Sequence, residues 1–111
     1  MNYISTRDTS ELPRSITSAE AIKTGLAPDG GLFMPESIPE LTEEKLEALT
    51  EMTYAERAAE ILSMFLTDYD KSALLEDCRT AYSEERFPGG AAPVVPIGDG
   101  MYSLELWHGP T

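Results

Sequence analysis

Few side chains in this sequence are equipped for covalent or metal chemistry, so each can be weighed singly. The only histidine, His108, follows the only tryptophan, Trp107, in "LELWHGPT". An imidazole titrates near neutrality and serves as general acid, general base or metal ligand. A zinc site takes about four ligands, however, and one histidine with one distant cysteine falls short. The ordinary reading of His108 is a turn residue ahead of Gly-Pro. The single cysteine, Cys78, falls on an apolar helical stripe, where a buried structural thiol is the default; a reactive thiol needs a basic setting.

Two short motifs carry more. "ISTR" sets hydroxyls beside Arg7, whose guanidinium can hold a carboxylate or phosphate. "PDGGLF" places Asp29 ahead of Gly30 and Gly31, and successive glycine amides can line up on an anion. No Lys-Ser/Thr ending follows, so this is not a P-loop, and a turn is the simpler reading. "DYDKS", residues 68–72, begins like a calcium loop but carries Ala73 and Arg79 where the pattern needs Gly and Glu. The remaining carboxylates read as a solvated acidic surface. Spacing alone yields no complete catalytic set.

The elements that must position these residues are legible in outline. "NYIST" is rich in β-branched and aromatic residues and suits one strand. Thr17 and Glu20 form a capping box for a short helix that Gly25 stops. Prolines 28, 35 and 39 exclude a helix through residues 26–41, leaving a structured loop with a short strand near Leu32–Met34. "TEEKLEALTEM" reads as a helix with acidic residues in its first turn. Thr53 and Glu56 cap the next, whose stripe is Tyr54, Ala58, Ile61, Leu62 and Phe65. A further helix, about 71–82, presents Leu74, Leu75, Cys78, Ala81 and Tyr82, and the two suit an antiparallel pair. "PGGAAP" is a linker, and "VVPI-GDG-MYSLELW" reads as strand, turn, strand, with Tyr102, Leu104 and Leu106 on one face and Pro96 at an edge.

The expected fold class is therefore α+β: a small, mostly helical body over residues 1–87, a linker at 88–93, and short strands at both ends of the chain. The 111 residues suit one domain, and 41% apolar content is adequate for a core. Twenty acids against eight Lys and Arg give −12, a surface that repels phosphate, so no nucleic acid and no anionic membrane is expected as a partner. The N-terminus lacks an apolar signal core and no run approaches a membrane span, so a cytoplasmic protein is expected.

The order of the motifs is more specific than any one of them. "NYISTR", "AIKTGLAPDGGLFMPESIP", "TYAERAAEILSMFL" and "APVVPI-GDGMYSLELWHGPT" together resemble the threonine synthase family over nearly the whole chain. One departure is that Asp8 follows "STR" where the family typically has Gly. The resemblance implies the tryptophan-synthase-β-like, fold type II architecture and a pyridoxal-phosphate enzyme converting O-phosphohomoserine and water to threonine and phosphate. In that family "HGPT" leads within a few residues to a Phe-Lys-Asp whose lysine forms the Schiff base with the cofactor. That lysine is expected beyond Thr111, and Lys23, Lys45 and Lys71 lie outside the matching motif.

The resemblance thus implies that residues 1–111 alone are inactive and bind no cofactor, with the remainder of the catalytic domain as their natural partner. His108 and Thr111 would border the active site, and Asp29, Gly30 and Gly31, with Arg7 nearby, would help shield it. An uncovered pair of C-terminal strands would fray, swap or join a homodimer, because an unpaired edge seeks a partner. The alternative is a stand-alone acidic helical module that docks another protein, but such a domain should not leave "LELW" uncovered.

Overall fold

The computed structural model describes residues 1–109; Thr111 lies outside them, and nothing structural bears on it. The chain runs β1 (Asn2–Ser5), β2 (Ile16–Thr17), α1 (Ser18–Thr24), β3 (Phe33–Pro35), α2 (Glu43–Thr50), α3 (Tyr54–Phe65), α4 (Lys71–Ala81), β4 (Val94–Gly98) and β5 (Met101–Leu104). The α+β expectation holds, with four helices and small sheets at both ends.

β1 is the centre of a three-stranded antiparallel sheet, flanked by β2 and β3. Tyr3 faces Ile16 on one side and Pro35 on the other, and Ser5 faces Phe33. The sequence reading missed β2, because two residues leading straight into a capped helix leave no strand-length pattern to detect. The cap itself is as expected: Thr17 Oγ1 accepts from the Glu20 amide, and the Glu20 carboxylate accepts from the Thr17 amide. Gly25 closes α1 at φ +78°, where a Cβ is unfavourable.

α3 and α4 form the expected antiparallel pair. Lys71 reaches Glu60 at 2.6 Å, and Arg79 lies 3.7 Å from Glu56 and 2.8 Å from Glu76. The first two cross between the helices as surface contacts that favour this register, whereas Arg79–Glu76 lies within α4. The buried positions of the pair are apolar: Ala59 on α3, and Leu74 and Cys78 on α4. The stripe expected for α3 is displaced, with Ile61, Leu62 and Phe65 only half-buried and Tyr54 exposed, although its ring meets that of Tyr82 edge-on at 4.9 Å. Ala81, the final residue of α4, is exposed rather than buried: the end of α4 meets the start of α3 through the neighbouring Tyr82 ring instead. α2 is tied on from outside: Arg57 donates to the Leu49 and Met52 carbonyls, both at 2.9 Å, supplying a cation at that helix's C-terminus.

One short segment joins the sheet to the helix pair. The N-terminal amine donates to Thr67 Oγ1 (2.6 Å), and the Tyr3 hydroxyl donates to the Phe65 carbonyl (3.2 Å). Asp68 accepts from the Ser18 hydroxyl and, at 3.0 Å, from the Ala19 amide, so it caps α1 from a distance. Ser18 is completely buried at this seam.

β4 and β5 form a hairpin closed at Asp99–Gly100, with a bulge between Pro96 and Gly98. β4 and β5 pair with each other within the chain, closed by this turn. β5 ends at Leu104, so Leu106 does not extend its face. No hydrogen bond or ion pair among the described residues joins 91–109 to 1–90. Leu104, Leu106 and Trp107 are 54%, 70% and 67% exposed, as the uncovered "LELW" implied.

The core is thin. Ala21, Ala27, Ala59, Leu74 and Cys78 are the buried apolar residues among those described, and only Leu74 is large. The radius of gyration is 16.9 Å, against about 13 Å for a compact domain of this length.

Candidate functional site

The end of β1 and the turn before β3 build one compact cluster. Ala27, Pro28, Asp29 and Gly30 form a turn in which the Gly30 amide donates to the Ala27 carbonyl at 2.8 Å. Proline presets the φ of the second position, and Gly30 takes φ +78°. The chain then returns beside β1. The Thr6 amide donates to the Leu32 carbonyl (2.9 Å), and the Leu32 amide donates to Thr6 Oγ1 (3.0 Å).

Asp29 ties the two strands of this cluster together. Its Oδ1 accepts from the Ser5 hydroxyl at 2.7 Å and from the Gly31 amide at 2.8 Å. These bonds hold its carboxyl below the usual carboxylate range, the Ser5 bond contributing most. Arg7 lies across the turn, donating from Nη1 to the Asp29 carbonyl at 3.2 Å. The structure therefore brings Arg7, Asp29, Gly30 and Gly31 into one place, although they come from separate segments.

The two glycines have different reasons. A Cβ at Gly31 would stand 2.2 Å from Ser5 Oγ, so Gly31 is required by close packing. A Cβ at Gly30 would meet Arg7 Nη1 at 2.9 Å and would also face a positive φ. Both amides already have partners within the chain, at the Ala27 carbonyl and the Asp29 carboxylate. They do not line up on an anion; the turn reading is the one the structure supports.

A cavity of about 240 Å³ opens beside the cluster, lined in part by Ser5, Asp8, Arg14, Phe33 and Asp29. Asp8 organises its wall. Its Oδ1 accepts from the Ser10 amide (3.1 Å) and hydroxyl (2.6 Å), and its Oδ2 accepts from the Arg14 amide (3.0 Å). These bonds lower its carboxyl below the ordinary value. Sequence reasoning noticed Asp8 only as a departure; the Asp-x-Ser spacing, an Asx-turn signal, could have identified the role.

His108 stands apart from this cluster. It lies beyond β5, where its Nε2 is 2.6 Å from Glu105 Oε2 and its ring is 5.8 Å from that of Trp107. No group of His, Cys, Asp and Glu suited to a metal occurs among the described residues. Cys78 is buried, and desolvation followed by the Asp77 charge pushes its thiol up, as suits a structural cysteine. The carboxylates of the calcium-like stretch are helix caps: Asp68 serves α1, and Asp70 accepts from the Ala73 amide at 2.9 Å at the start of α4. Asp68 had no sequence signal, because its partner is tertiary.

A sequence model described as "Threonine synthase N terminus" matches residues 2–82. The chain belongs to the threonine synthase family. The threonine synthase of Corynebacterium glutamicum is 36% identical to it over all of this chain and 24% of the relative. Among solved structures, pyridoxal-phosphate-bound threonine synthase from Brucella melitensis superposes with a TM-score of 0.85 at 33% identity, covering 99% of this chain and 23% of the other. Threonine synthase from Escherichia coli gives 0.83 at 29%, covering 100% and 24%. This threonine synthase-family chain thus spans about a quarter of the length of the relatives it matches.

The loop cluster and its cavity do not fit pyridoxal phosphate. The cofactor needs an amine for its aldehyde beside a cradle for its phosphate. No lysine lines the cavity beside the loop cluster, and the glycine amides there are taken. Lys71 is paired with Glu60, while Lys23 and Lys45 sit on α1 and α2. No helix among the described residues is long and apolar enough to cross a membrane.

Proposed function

We propose that this chain is the N-terminal part of a pyridoxal-phosphate-dependent threonine synthase, a carbon–oxygen lyase acting on phosphates in threonine biosynthesis. The intact protein converts O-phosphohomoserine and water to L-threonine and phosphate. Residues 1–87 form its N-terminal domain, 88–93 the connection, and 94–111 the start of its catalytic domain. By themselves these residues are inert, since none of Lys23, Lys45 and Lys71 stands beside the glycine loop cluster among the described residues. The observation that carries this reading is identity of 36% across the whole chain, set against only 24% of the relative's length.

Within the intact enzyme, the Arg7–Asp29–Gly30–Gly31 cluster shields the active site, and His108 and Thr111 border it. What supports this role is the closure of the cluster by hydrogen bonds: Ser5, Arg7 and the Gly31 amide converge on Asp29. The activity belongs to the cytoplasm, and with −12 on 111 residues neither nucleic acid nor an anionic membrane is a partner. When separated from the rest of its catalytic domain, the hairpin pairs with a second copy through its open edges. The stand-alone docking module is not favoured, because the relatives are full-length synthases.

The test is the protein encoded by the whole reading frame. It should rescue growth of a threonine auxotroph that lacks threonine synthase and should carry the visible absorption of bound pyridoxal phosphate. A reading frame that neither rescues growth nor binds the cofactor would remove the proposal.

A further inference from the structure

One face of the molecule is apolar and open. Ile22 and Leu26, around the end of α1, are 59% and 63% exposed, and Leu32 and Met34, around β3, are 59% and 47%. Ile22, Leu32 and Met34 line a groove of about 350 Å³ together with Tyr3, Ala21 and Leu66. No charged side chain lines it, in a chain with twenty acids and eight bases. The groove is also held firmly on both sides. α1 has its capping box and the distant Asp68 carboxylate, and β3 is paired along its length to β1.

A preformed apolar groove of this kind is a contact surface. A charged segment seated there would lose hydration and find no partner for its charge, so its occupant is apolar. Relatives of this chain extend over about four times the matched length, which supplies a candidate in the same polypeptide. We propose that the groove between α1 and β3 seats an apolar segment of the downstream catalytic domain. The proposal rests on the functional reading above. It adds the surface by which the N-terminal domain is held against the catalytic one.

The whole-reading-frame protein allows a direct test by thiol labelling, since Cys78 is only 3% exposed and adds little background. Ile22→Cys and Leu32→Cys each place a thiol in the groove, and Glu40→Cys places one on an exposed stretch outside it. Native maleimide labelling, located by peptide mass spectrometry, should be at least about tenfold slower at 22 and 32 than at 40, because labelling must await undocking. Comparable rates at all three positions in a protein that still makes threonine would overturn this inference and leave the functional reading intact. Slow labelling that accelerates on dilution would also overturn it, because the cover would then be a second copy. Absence of both activity and downstream chain would instead strike the functional reading itself.

Discussion

Ser5 and Asp29, 24 residues apart, meet through a 2.7 Å hydrogen bond that closes the β1 end onto the Pro28–Gly31 turn. The same Ser5 oxygen accepts from the Arg7 amide at 3.2 Å, so a single buried hydroxyl positions both segments of the cluster. Among the described residues Arg7 lies over Gly30 without a carboxylate partner, bonded instead to a main-chain carbonyl.

Removing that hydroxyl should loosen the cluster without unfolding the domain. Ser5→Ala is expected to cost about 0.5–1.5 kcal/mol, read by urea unfolding, and to lower turnover of the intact enzyme together with Asp29→Ala. Wild-type kinetics for both variants would remove the shielding role of this turn.

Gly25 and Gly31 should separate in a mutational series. Gly31→Ala drives a methyl into Ser5 Oγ and the Arg7 backbone, and an overpacked site of this kind costs about 1–3 kcal/mol. Gly25→Ala meets open space, so its loss comes from the backbone conformation alone, about 1–3 kcal/mol. Adding Ser5→Ala should recover part of the Gly31→Ala loss and none of the Gly25→Ala loss; no recovery at Gly31, measured by denaturant midpoint, would contradict the packing seen there.

Much of this was legible beforehand, for local reasons. The capping boxes at Thr17 and Thr53, the stop at Gly25 and the hairpin turn at Asp99–Gly100 are set by residues within a few positions of one another. β2 was not legible, since Ile16–Thr17 becomes a strand only because β1 lies beside it. The depth of burial was not either. The α3 stripe pointed to Ile61 and Leu62, yet Ala59 is the buried residue of that helix, and how deeply a position is buried depends on the neighbouring elements rather than on its own period. The site showed the same division: "PDGG" announced a turn, whereas the Ser5–Asp29 link depends on a pairing distant in sequence.

Burial therefore redirects the expected stability map. Leu74→Ala should destabilise by about 2–4 kcal/mol, more than Ile61→Ala at its half-buried position. Thermal or urea melts of the pair decide the order, and a larger loss at Ile61 would contradict the helix packing.

The seam at Asp68 should be visible in acid. Hydrogen bonds from Ser18 first and the Ala19 amide second lower its carboxyl from 3.8 to about 2 in the folded protein. A lowered folded value means the stabilisation is present above the ordinary carboxylate range and lost as the pH falls from near 3.8 toward 2. Asp8, Asp29 and Asp70 shift in the same direction and contribute to the same acid limb. Asp68→Asn should flatten the fall in melting temperature between pH 4 and 2; an unchanged slope would show that the seam does not depend on the ionised carboxylate.

The central claim is that these residues form one part of a synthase and hold no catalytic amine of their own. Phosphate release from O-phosphohomoserine, assayed side by side with added pyridoxal phosphate, tests it most directly. The protein of the whole reading frame is expected to release phosphate and form threonine, and the 1–111 chain to release none. Turnover by the 1–111 chain alone, or none by the whole protein, would contradict it.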